Sequence, residues 1–164
     1  MTAPMGYAMN HIEAAQIMAA ECLCFRARRT ARAITRAYDA ALRPTGLQAT
    51  QVTLMNAIAL GQGGLQPVAR LSDILGLELS TLTRNLSALE RVGLLAVMRS
   101  PRDRRVRVAS LTDAGKERLA AALPRWKQAH ASIIAALGQE DATALHTALD
   151  LAATALASVE PPQG

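Results

Sequence analysis

Residues 71–95 read Leu-Ser-Asp-Ile-Leu-Gly-Leu-Glu-Leu-Ser-Thr-Leu-Thr-Arg-Asn-Leu-Ser-Ala-Leu-Glu-Arg-Val-Gly-Leu-Leu. With Val68 upstream, Leu71, Ile74 and Leu75 recur at helical spacing. Gly76 then interrupts, and Leu82, Leu86 and Leu89 resume the period as far as Gly93. The spacing predicts a short helix over about Pro67–Leu75, a glycine turn, and a second helix over about Ser80–Val92 closed by Gly93. Pro67 suits a first-turn position, since it has no N–H to leave unbonded there.

Downstream the period changes. Leu95, Val97, Val106, Val108 and Leu111 alternate with polar residues around Ser100-Pro-Arg-Asp-Arg104, which predicts two short strands joined by an arginine-rich hairpin. Thr112 reads as an N-cap opening a helix to about Leu137, which Pro124 should kink or break. A last helix spans about Glu140–Ser158, stopped by Pro161 and Pro162. Upstream, about Glu13–Leu42 contains no Gly or Pro, and Leu23, Ala27, Ala31, Ile34, Tyr38 and Leu42 keep helical spacing. This predicts one long amphipathic helix ended by Pro44 and Gly46. Its length of ~45 Å exceeds what so small a domain covers, so part of its apolar stripe should meet a second subunit. A further helix is expected over about Ala49–Leu60, with Val52, Met55, Asn56 and Ala59 on one face.

Helix, glycine turn, helix and β-hairpin, in that order, is the winged helix-turn-helix arrangement. The expected fold is mainly α with a small β-hairpin wing. A helix fits the major groove of B-DNA and reads bases from its N-terminal end. Here that end carries Ser80, Thr81, Thr83, Arg84 and Asn85. Small hydroxyls permit close approach, Arg84 can donate two bonds to a guanine, and Asn85 can pair with an adenine if it faces the groove. The hairpin arginines Arg102, Arg104 and Arg105, with Asp103 among them, suit phosphates or a narrow minor groove.

Charge supports a polyanionic partner. The formal net charge is +5 over 164 residues. Residues 26–43 alone carry +5 and residues 99–107 carry +4, so the remainder is mildly acidic. Double-stranded DNA is the first candidate partner. Aromatic residues make up only 2%, which argues against a base-stacking surface. No run of ~20 apolar residues exists, so no membrane span is expected, and the N-terminus lacks the order of a signal peptide; the cytoplasm is the default compartment. An enzyme is disfavoured: Gly61-Gln-Gly-Gly64 follows no strand and so is no nucleotide loop, and no triad or carboxylate pair stands out. No cofactor and no metal site is expected. Cys-x-Cys at Cys22 and Cys24, even with His11, is a weak metal signal, while His130, His146 and Trp126 read as surface or core residues.

The 71–95 stretch, followed by Arg102-Asp-Arg-Arg-Val-Arg-Val-Ala-Ser-Leu-Thr-Asp-Ala-Gly115, resembles the MarR family of bacterial transcriptional regulators over about residues 20–157. The resemblance implies a homodimer with interlocking first and last helices, a recognition helix at about 79–91 and a wing at about 97–109. It implies that Ser80, Thr81, Thr83 and Arg84 face the major groove and that Asp103 orients Arg105. It also implies a repressor released from DNA by an aromatic or phenolic ligand, or by oxidation. The corresponding organisation is a flexible 1–12, dimerisation helices at 13–46 and 112–158, a DNA-binding lobe at 47–111 and a tail at 159–164. Two-fold symmetry then requires a pseudo-palindromic operator. Cys24-Phe25 is similar to the Leu-Cys-Phe segment of the organic-hydroperoxide regulators in this family, where that cysteine is the reactive thiol. Residues 47–53, Leu-Gln-Ala-Thr-Gln-Val-Thr, lack the tyrosines that accompany it there. On one continuous helix Cys22 and Cys24 would lie about 200° apart, unable to bridge. The effector stays open between an aromatic acid and an oxidant.

Overall fold

The computed structural model describes residues 10–157 and Val159. The expected ragged start, Ser158 and the proline-terminated tail fall outside these residues, save for Asn10 and Val159. The elements in chain order are α1 (His11–Glu21), α2 (Leu23–Leu42), a 3-10 turn at Arg43–Thr45, α3 (Ala49–Ala59), a second 3-10 turn at Gln62–Gly64, β1 (Gln66–Pro67), α4 (Val68–Leu75), α5 (Leu79–Arg91), β2 (Leu95–Arg99), β3 (Arg107–Leu111), α6 (Asp113–Leu137) and α7 (Gln139–Leu156). The chain divides into two units, one ending at Arg36 and the other beginning at Ala37.

In the first unit the expected single helix is two. Cys22 adopts extended backbone (φ −66°, ψ 108°) and closes α1 through its N–H on the Met18 carbonyl. Its Sγ then accepts the Phe25 N–H at 3.3 Å, so the same residue opens α2. The Arg26 guanidinium donates to the Ala20 carbonyl, satisfying a group that the end of α1 leaves free. Asn10 caps the other end, its Oδ1 accepting the Ile12 and Glu13 amides at 2.9 Å each. The continuous-helix argument against a Cys22–Cys24 bridge therefore lapses, because Cys22 is not helical.

The second unit is built around α3. Leu42, Leu54, Met55, Ile58, Leu71, Leu82, Leu89 and Leu95 are its most completely buried large side chains. Instead of one buried face, α3 buries Val52, Leu54, Met55, Ala57 and Ile58, while Asn56 and Ala59 are exposed. A helix enclosed by α4, α6, β1 and β3 has little free face left. α4 buries Val68 and Leu71, but Ile74 is exposed. α5 buries Leu82, Leu86 and Leu89, as its spacing required.

The sheet has three antiparallel strands, ordered β1-β3-β2. β2 and β3 pair from Leu95↔Leu111 to Arg99↔Arg107 and form the expected hairpin. β1 is additional. Gln66 and Pro67 pair with Ala109 and Val108, and an edge position tolerates the proline. Pro67 accordingly precedes α4 as its N-cap and does not occupy the first turn. α6 runs uninterrupted through Pro124. One missing helical bond is offset by burial of Ala122 and Ala129 and partial burial of Trp126 on either side of it.

Thr112 and Gly115 fix where α6 begins. The Thr112 hydroxyl accepts the Gly115 N–H at 3.0 Å and donates to the Gly93 carbonyl at 2.6 Å. A β-carbon at position 115 would lie 1.9 Å from the Leu94 carbonyl oxygen, so only glycine fits.

Candidate nucleic-acid interface

Gly76 (φ 58°) takes the left-handed conformation that lets α4 stop and α5 turn away, and the Ser72 hydroxyl braces the corner by donating to the Leu77 carbonyl at 2.5 Å. With its three leucines buried, α5 presents Ser80, Thr83 and Arg84 to solvent. Thr83 Oγ1 donates back to the Leu79 carbonyl at 2.7 Å, leaving its lone pairs outward. Thr81 is half-buried. Asn85 is half-buried too and lines a small cavity with Gln48, Thr50 and Gln51 at the start of α3. The outward row continues to Ser87 and Arg91, which the sequence reading left out. Each lies seven residues beyond Ser80 or Arg84, and so falls on the same face.

The wing is ordered by its own main chain. Ser100 N–H donates to the Val106 carbonyl at 2.8 Å, and Ser100 Oγ accepts the Arg102 and Asp103 amides at 3.2 and 3.4 Å. Asp103 Oδ1 accepts the Arg105 main-chain N–H at 2.9 Å, so it holds Arg105 through the backbone. Arg99 Nη1 donates to the Arg104 carbonyl at 2.8 Å, across the turn. Arg102 reaches Gln62 Oε1 at 3.4 Å. Arg102, Asp103, Arg104, Arg105 and Arg107 are all exposed, and the single ion pair among the described residues is Lys116–Asp113, elsewhere. The wing arginines are thus free to meet an external anion. Glu90 on α5 accepts the Val97 N–H at 3.0 Å, tying helix to wing.

An apolar cavity of about 520 Å³ lies between α3 and α6, lined by Val52, Leu111, Leu119, Leu123 and Trp126, with Asn56 and Lys116 as polar members. Trp126 stacks on Tyr38 (centroids 5.9 Å apart) and on His130 (4.9 Å), and His130 on His146 (6.4 Å). The Tyr38 hydroxyl and His130 Nδ1 are 3.0 Å apart, and burial raises the Tyr38 phenol above its ordinary value. At α6 the Asp113 carboxyl is held below its ordinary value by the Lys116 hydrogen bond and charge. Both cysteines are free, Cys24 exposed and Cys22 half-buried. Among the described residues, no three His, Cys, Asp or Glu side chains converge where they could hold a metal ion, and no helix is long and apolar enough to cross a membrane.

A hydroxyl-and-arginine helix face braced against an arginine-loaded hairpin defines a winged-helix DNA-binding protein. Comparison with known proteins agrees. The MarR family model matches residues 51–106. The Mycobacterium tuberculosis transcriptional regulator MosR, solved in complex with DNA, is 36% identical over 80% of this chain and 98% of its own, with a TM-score of 0.65. The transcriptional repressor CouR, bound to a 23-mer DNA duplex, is 25% identical over 83% of this chain and 95% of its own, with a TM-score of 0.72. Escherichia coli MarR with operator DNA has the same fold, at 19% identity over 82% and 96% of the two chains and a TM-score of 0.73. No curated protein matches the sequence. The chain belongs to the MarR family and is a DNA-binding transcriptional regulator, not an enzyme.

Proposed function

We propose that this regulator is a homodimeric repressor that reads a pseudo-palindromic operator with half-sites ~10 bp apart. In this reading Ser80, Thr81, Thr83 and Arg84, joined by Ser87 and Arg91, enter the major groove. Arg102, Arg104 and Arg105 straddle the flanking backbone or minor groove, with Asp103 shaping the turn. Asn85 has a supporting place beside α3. The observation that carries the assignment is the pairing of an outward polar row on α5 with a wing whose arginines have no internal ion pair.

Dimerisation through the terminal helices is supported by where apolar surface is left uncovered. Ile12, Ile17 and Met18 on α1, Leu23 and Phe25 on α2, and Leu149, Leu151 and Leu156 on α7 are all exposed. Apolar exposure on this scale marks an association surface.

For the effector, the cavity against Trp126 suits a small aromatic acid, with an apolar wall for the ring and Lys116 for the carboxylate. CouR of Rhodococcus jostii has been solved with p-coumaroyl-CoA, a bulkier aryl acid derivative. A second reading, oxidation at Cys24 with Cys22, is favoured by the exposure of Cys24 and the non-helical backbone of Cys22. Binding to duplex DNA from upstream of the protein's own gene tests both. Wild type, Cys24→Ser and Cys22→Ser are titrated with aromatic acids, then with organic hydroperoxide followed by reductant. Release by acids in all three proteins supports the cavity. Reversible release by peroxide in the wild type alone supports the thiols. Absence of specific binding at low salt would overturn the operator-reading assignment.

A further inference from the structure

A second concave site lies away from both the recognition face and the Trp126 cavity. Directly after α2, the turn at Arg43–Thr45 and the following Gly46 face one side of α6. Arg43, Arg118 and Arg125 converge there on a concavity of about 670 Å³, whose other lining residues are Pro44, Thr45, Gly46 and Ala121. Arg118, Ala121 and Arg125 fall at i, i+3 and i+7, one face of the helix.

The three arginines are exposed around a shallow, open concavity, and three features set them apart from scattered surface charge. No carboxylate lines it, and none of the three arginines belongs to an ion pair among the described residues, so three positive charges face one hollow uncompensated. Arg118 is held in place, since its Nη1 donates to the Thr45 carbonyl at 3.0 Å and ties α6 to the turn. Gly46 keeps the guanidinium uncrowded: it sits at φ 72°, and a β-carbon there would come within 3.3 Å of Arg118 Nη1. Like charge clustered around one concavity raises the local potential and attracts multiply charged anions. The guanidinium fork matches phosphate oxygens two at a time.

We infer that Arg43, Arg118 and Arg125 form a binding site for a small molecule bearing a pyrophosphate or phosphate-monoester group. The site is independent of the DNA-reading face, and its occupancy can be measured without DNA.

The test uses the full-length protein with inorganic pyrophosphate as the probe. For a millimolar Kd, about 10 mM pyrophosphate should raise the thermal midpoint by about 3–6 °C over a sodium chloride control of equal ionic strength. Calorimetric titration should give one site per chain. Arg43→Gln/Arg125→Gln should abolish the shift. Neither side chain makes a hydrogen bond within the described fold, so the variant should retain the wild-type midpoint without ligand. Arg104→Gln/Arg105→Gln, in the wing, should leave the shift intact. Equal shifts with pyrophosphate, sulfate and chloride, unchanged in the Arg43/Arg125 variant, would mean non-specific salt stabilisation and overturn the site. So would the absence of any pyrophosphate effect together with weakened, less salt-dependent DNA binding in that variant; these arginines would then be contacts to the DNA backbone.

Discussion

The carboxylate of Glu90, near the end of α5, accepts the main-chain N–H of Val97 in the first wing strand at 3.0 Å. One charge-assisted bond therefore ties the helix to the wing, the two parts proposed to address DNA. Glu90→Ala should lower stability by about 1 kcal/mol and weaken operator binding, while Glu90→Gln, which keeps an acceptor, should retain most of the affinity. Faster amide exchange at Val97 in the alanine variant is the direct readout. An unchanged exchange rate would show that the bond is unimportant in solution.

The Asp103–Arg105 turn separates wing shape from wing charge. Asp103→Ala removes the acceptor for the Arg105 N–H yet raises the net positive charge. If charge alone governed binding, affinity would rise. Because the turn positions the arginines, affinity should fall, with Asp103→Asn intermediate. Equilibrium anisotropy with labelled operator decides between the two.

Operator affinity should fall steeply with salt, and each wing arginine that meets a phosphate should contribute about one unit to the slope of log K against log salt. Arg104→Gln and Arg105→Gln are thus expected to flatten the slope while weakening all sequences alike. Arg84→Gln should instead erode discrimination by about 1–3 kcal/mol at one base pair.

Gly115→Ala should be among the most destabilising single methyl additions in the chain. The added carbon would overlap the Leu94 carbonyl, so α6 must shift against β2, and a loss of about 2–4 kcal/mol is expected in chemical denaturation. Thr112→Val, which keeps the shape and removes both hydroxyl bonds, should cost about 1–2 kcal/mol.

Alkaline pH should reveal Tyr38. Burial raises its phenol above the ordinary value of 10.0, so the folded state holds the proton more tightly than the unfolded chain. Its contribution to stability is complete below that value and is lost as pH climbs through the higher folded one. Tyr38→Phe should flatten the part of the midpoint-against-pH curve that lies above about pH 10. A curve identical to wild type would exclude Tyr38 as the titrating group.

The winged helix-turn-helix part of the fold is legible because its signals are local and redundant. Leu82, Leu86 and Leu89 state the period of α5, Gly76 and Gly93 bracket it, and alternation from Leu95 to Leu111 states the hairpin. β1 was invisible, since a two-residue strand has no period. The break at Cys22 was hidden for another reason: neither glycine nor proline marks it, and the cap is a thiol in place of the usual hydroxyl or carboxylate. The buried face of α3 was misjudged because periodicity finds one face, and a central helix buries more than one. On α5 the helical repeat places Ser87 and Arg91 on the same face as Ser80 and Arg84, beyond the N-terminal turn that the base-reading argument singles out. Asn85, chosen for its chemistry, is directed by the same repeat towards α3.

The chain's one tryptophan stands in the wall of the Trp126 cavity, stacked between Tyr38 and His130, and the recognition helix and wing contain none. Excitation near 295 nm therefore interrogates a single indole in the wall of the cavity where the proposed effector would bind. Under the proposed reading the protein carries its own gauge of cavity occupancy, and effector arrival is timed by indole fluorescence without attaching a label to either partner.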